Sequence, residues 1–128
     1  MNLFLPLKSS LLRKIFIKRL SLKFGNSICC PAVTFVKDNC PNKIFTSDYT
    51  CNVDWYAWEK LSKLKGKFIY NKEKLMGHRI SLESTTTDII NQGIRTKEDY
   101  EILCKFWPKF IAKFINKFYK KAEKSNNI

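Results

Sequence analysis

From Tyr100 to Lys124 the chain permits little besides helix. Apolar residues recur at Tyr100, Leu103, Trp107, Phe110, Ile111, Phe114, Ile115 and Phe118, the spacing of one helical face. Lys109, Lys113, Lys117, Lys120, Lys121 and Lys124 fall on a separate arc of about 120°, at about 100° per residue. No acidic residue lies between Glu101 and Glu123. Such a helix has an aromatic side to dock and a cationic side to offer to an anion. Thr96, followed three residues later by Asp99, resembles a capping box and predicts the start. Glu98 and Asp99 then sit at the positive end of the helix dipole, with lysines at the negative end. Pro108 removes one N–H and crowds the carbonyl of Cys104. The apolar phase nevertheless runs past it, which predicts a kinked helix, or two helices sharing a face.

A second helix is expected over 53–66, capped by Asn52 or Asp54 and ended by Gly66. Its aromatic side carries Trp55 and Trp58. The aromatic faces of 55–68 and 100–118 are expected to supply the core and to dock on neighbours. The docking residues are Trp55, Trp58, Trp107, Phe110, Phe114 and Phe118. Between these helices, 67–70 and 79–82 read as two short strands of a hairpin or as helix continuation. Lys65, Lys67, Lys72, Lys74, His78 and Arg79 make this stretch a basic patch. A short helix is expected over 84–92, with Gly93 as its left-handed terminator.

Residues 1–28 carry six basic residues and no acid, the first acid being Asp38. Leu11, Leu12, Ile15, Phe16, Arg19, Leu20 and Phe24 suggest an amphipathic helix. Basic, amphipathic and acid-free is the pattern of a mitochondrial targeting segment. Charges interrupt every apolar run, which excludes a secretory core and a transmembrane span here. Cleavage near residue 25 would leave 18 basic and 11 acidic residues, a net charge of 18 − 11 = +7. Residues 29–52 read as an irregular arm with turn formers at Pro31, Asn39, Pro41 and Asn42, a strand candidate at 32–36, and Ile44 and Phe45 as anchors. The fold expected is mainly α: a small single domain, 53–124, of two or three amphipathic helices, behind the irregular N-terminal arm and with the hairpin as an option. Residues 125–128 should fray.

The net charge of +13 points to polyanionic partners. Of the 24 basic residues only Arg13, Arg19, Arg79 and Arg95 are arginine, so point charges outnumber bidentate forks. That suits phosphate contact without base reading. The contact residues expected are Lys65, Lys67, Lys72, Lys74, Arg79, Lys109, Lys113, Lys117, Lys120 and Lys121. The five cysteines have no Cys-x-x-Cys spacing, and His78 is the lone histidine, so neither a metal site nor a nucleophilic pair is expected. There is no Gly-rich phosphate loop. The expectation is a noncatalytic structural subunit without cofactor, metal or small-molecule substrate. It would sit in the mitochondrial ribosome, on rRNA phosphates and among other subunits. The alternative is an accessory subunit of a respiratory-chain or ATP-synthase complex, on the anionic inner-membrane surface.

Overall fold

The computed structural model describes residues 5–46, 48–77 and 92–125. Four α-helices occupy most of them: α1 (Leu5–Leu22), α2 (Val53–Ser62), α3 (Gln92–Leu103) and α4 (Lys109–Ser125). No strand occurs among the described residues, and the small single domain is mainly helical, as the periodicities require.

The chain does not kink at Pro108; it turns back. The backbone N–H of Asn116 is seven positions into α4, and its side-chain amide donates to the Thr96 carbonyl of α3 at 3.1 Å. An unbroken helix would hold those two residues about 30 Å apart. α3 ends at Leu103, residues 104–106 form a tight turn, and Pro108 starts α4 by offering its carbonyl to the N–H of Ala112 at 3.0 Å. Proline is harmless there, since a first-turn nitrogen has no helical acceptor. Ile102 and Leu103 pack with Ala112 in the core, all at 0% exposure.

Two boundary expectations are corrected. α3 begins at Gln92, so Gly93 lies inside a helix and its φ is not positive. It is not the left-handed terminator. Glu98 and Asp99 are therefore mid-helix residues rather than first-turn ones. Their buried carboxylates reach across to the start of α2. Glu98 accepts backbone N–H bonds from Thr50, Cys51 and Asn52 at 2.7, 2.8 and 2.9 Å. Asp99 accepts from the Asn52 side chain at 2.6 Å. Asn52 precedes α2 but makes no side-chain cap bond; a carboxylate at a helix N-terminus serves the orphan donors and the dipole together. α2 ends at Ser62, short of the expected 66, and Gly66 follows in a turn at φ +105°, a value suited to glycine.

The core is not confined to 53–124. Leu22 of α1 is fully buried beside Trp55, Ala57 and Trp58 of α2. The Trp55 indole donates to the Leu22 carbonyl at 3.2 Å and that of Trp107 to the Lys23 carbonyl at 2.8 Å. Arg19 bridges α1 to α2 through Glu59 at 2.8 Å and to the α3–α4 turn through the Lys105 carbonyl at 2.8 Å. Tyr119 of α4 lies so close over Gly25 that a Cβ there would fall on its hydroxyl.

The arm is anchored on α2. Pro31 opens a short 3-10 turn at Cys30–Ala32, and the strand candidate at 32–36 does not form. Phe35 stacks on Trp58 at 5.8 Å, while Phe45 meets both rings edge-on at 6.3 and 6.0 Å. Tyr49 packs on Tyr56 at 4.6 Å. Burial, and then the negative charge of Glu101, push the Tyr49 phenol up to about 12 from an ordinary 10.0. Its folded value lies above its unfolded one, so its stabilising contribution is complete below pH 10 and is lost as the pH rises through about 12. Replacing Tyr49 by Phe should flatten the alkaline loss of stability in that window. Unchanged pH-dependent melting of the variant would show that Tyr49 does not set it.

Candidate functional site

On α4 the residues sort into three stripes. Ala112, Ile115 and Tyr119 turn inward and join the core, with Ile111 half-buried beside them. Burial, with Asp99 nearby, raises the Tyr119 hydroxyl above its ordinary range. Phe110, Phe114 and Phe118 follow at i, i+4 and i+8. They stand in solvent at 75%, 62% and 59% exposure. The Phe114 and Phe118 rings meet edge to face at 4.9 Å. The third stripe is Lys109, Lys113, Lys117, Lys120 and Lys121, all exposed. Taking about 100° per residue, the phenylalanine ridge lies between the inward stripe and the lysine arc. No ion pair reaches these lysines among the described residues. The side chain of Lys124 lies outside them.

The eight-residue apolar phase is thus split. Once the chain turns back at Pro108, the inward direction of α4 is set by α3, and the phenylalanines face out rather than forming core. Replacing Phe110 and Phe114 by Ala should therefore leave the fold nearly as stable.

Trp55 and Trp58 are placed elsewhere. Each is 2% exposed, so neither offers a docking surface. Trp55 fills the space under the end of α1, and Trp58 the space under Phe35 and Phe45 of the arm. Trp107 is half-buried, with Phe24 at 5.4 Å and the Lys23 ammonium over its ring at 4.9 Å. Lys65, Lys67, Lys72 and Lys74 are exposed on a segment without regular structure. Ile69 and Tyr70, at 86% and 85% exposure, stand out between them, and Glu73 is the sole acid of 65–77. Residues 67–70 form no strand. His78, Arg79, the second strand of the hairpin and the body of the 84–92 helix lie outside the described residues.

Sequence periodicity missed Lys18. It is 6% exposed, and its ammonium donates to the Leu64 carbonyl just past the end of α2 at 2.6 Å. A cation suits that negative helix terminus, although burial lowers its pKa. With Lys18 and Leu22 inward, α1 turns Phe16, Ile17 and Leu20 outward, and Phe24 in the turn that follows is exposed too, at 44–65% exposure. Of the face expected for α1, Phe16 and Leu20 stand in water, while Arg19 reaches Glu59 of α2 and the Lys105 carbonyl of the α3–α4 turn.

All five cysteines are free thiols, and burial and the nearby Asp54 push the Cys30 thiol up, away from the reactive thiolate. Among the described residues no cluster of three His, Cys, Asp or Glu side chains could hold a metal ion. None of the described helices is long and apolar enough to cross a membrane. No protein-family model, no curated protein and no solved structure matches the chain. The described surface offers ammonium groups on α4 and on 65–74, and exposed aromatic rings.

Proposed function

We propose that the protein is a noncatalytic, basic structural subunit of a large mitochondrial assembly, the mitochondrial ribosome. The observation that carries this reading is the irregular, exposed 65–77 segment. Its lysines stand two to five positions apart with aromatic and aliphatic side chains between them. An extended segment of this kind can follow a polyphosphate backbone. Lysine point charges neutralise phosphates and release counterions without reading sequence. The acid-free N-terminus supports the mitochondrial address, and the excess of lysine over arginine supports phosphate as the counterpart. Other subunits would cover the apolar side chains of the 65–77 segment, Ile69 and Tyr70 among them. No cofactor, metal or small-molecule substrate enters this reading. A targeting cleavage would fall upstream of Lys18, because Lys18, Arg19 and Leu22 are needed by the fold.

A density gradient of a detergent lysate of mitochondria, run with and without RNase, tests the reading. The protein should sediment with rRNA and leave the heavy fractions after RNase. Replacing Lys65, Lys67, Lys72 and Lys74 by Gln should release it as well, and should reduce the salt dependence of RNA binding by roughly 0.9 in log–log slope per lysine. RNase-resistant migration with a membrane complex would overturn the ribosomal assignment and favour the bioenergetic one.

A further inference from the structure

The outer face of α4 carries more than charge. Phosphate contact alone asks for lysines, yet Phe110, Phe114 and Phe118 are held in solvent along the same face, at 75%, 62% and 59% exposure. A soluble surface seldom keeps so many large apolar side chains in one row unless something covers them. We propose that α4 is a peripheral membrane-binding helix that lies in the plane of an anionic lipid bilayer.

The lysine arc beside the ridge indicates the occupant. Between Glu101 and Glu123 there is no carboxylate, so the face is complementary to a continuous negative surface. α4 has 17 residues, about 25 Å of helix, and its inward stripe stays on α3 while the outer face meets lipid. With the helix axis parallel to the bilayer, the phenylalanines enter the headgroup–acyl boundary. Lys113, Lys117 and Lys121 extend their methylene stems along the same boundary and place their ammonium groups at the lipid phosphates. Stacking on RNA bases fits the ridge less well: the Phe114 and Phe118 rings are closed edge to face on one another, and leave no slot between parallel faces. This inference does not rest on the ribosomal reading, which draws on the 65–77 segment.

Flotation of the purified full chain with lipid vesicles tests it. One set is phosphatidylcholine alone, the other phosphatidylcholine with phosphatidylglycerol. The wild type should float with the anionic set and only weakly with the neutral one. Replacing Lys113, Lys117 and Lys121 by Gln should weaken anionic binding about a hundredfold, at roughly fivefold per lysine. Replacing Phe110, Phe114 and Phe118 by Ala should weaken it at least about tenfold, while the melting temperature stays close to that of the wild type. Full vesicle binding by the phenylalanine variant would overturn the proposal, as would equal binding to both vesicle sets or to neither. Vesicle binding failing while the lysine variant alone loses poly(U) would assign this face to RNA. The RNase gradient is unaffected by any of these outcomes and judges the ribosomal reading separately.

Discussion

A chain beginning at residue 26 should lose its cooperative melting transition. Such a cut removes Leu22, whose full burial beside Trp55 and Trp58 is alone a loss of about 2–5 kcal/mol on the scale of large-to-small core changes. It also removes the carbonyls that accept from the indoles of Trp55 and Trp107. A buried donor left without a partner costs about 1–3 kcal/mol. Glu59 keeps Lys63 at 2.6 Å but loses Arg19. Together these losses amount to about 5 kcal/mol or more, against a total stability of roughly 5–15 kcal/mol for an ordinary domain. A chain beginning at Lys14 retains every one of these contacts and should melt as the full chain does. If the 26–128 fragment melts cooperatively at the full chain's temperature, the packing of α1 described above contributes nothing to stability.

Replacing Glu98 by Ala should be the most damaging single substitution among the polar residues. Three backbone N–H groups, at Thr50, Cys51 and Asn52, share its two oxygens. Hydrogen bonds to a charged group contribute about 1.5–3 kcal/mol each. They are not additive, so a total of about 3–5 kcal/mol is expected. The melting temperature should fall by roughly 10–20 °C for a chain of this size. Glu98→Gln keeps one acceptor oxygen and should lose about half as much. A Glu98→Ala protein that melts within about 2 °C of the wild type would show that water serves those N–H groups equally well.

Much of the fold is legible in local pattern, and little of the tertiary role is. The 3.6-residue recurrence placed α2 and α4, because an apolar stripe at that spacing has no other regular home. Pro108 marked the break, but periodicity continues through a turn as readily as through a kink, so the reversal of direction was not visible. That reversal decides which apolar residues are core. Ala112 and Ile115 join it, and Phe110, Phe114 and Phe118 do not. Glu98 and Asp99 match a first-turn pattern equally well whether they serve their own helix or one some 47 positions upstream. Nothing local separates these cases. Lys18 is illegible for a related reason: its acceptor is a backbone carbonyl 46 positions away, and backbone carbonyls carry no sequence signature. The lysine stripe of α4 was legible, since solvent-facing charge needs no partner to be placed.

The bonds that hold α1 join parts of the chain that are made far apart in time. Its partners lie 33, 40, 84 and 86 positions downstream. At roughly 5–20 residues per second on the ribosome, Lys23 waits about 4–17 s for Trp107 to be synthesised. Until then only the contacts to α2, 33 and 40 positions downstream, can engage the end of α1, and Lys23 is open to any factor that meets the nascent chain. Once Trp107 and Lys105 arrive, Arg19 and Lys23 are drawn into the finished fold. The stretch around Arg19 and Lys23 is thus bound in two stages, a timing set by where its partners lie along the chain.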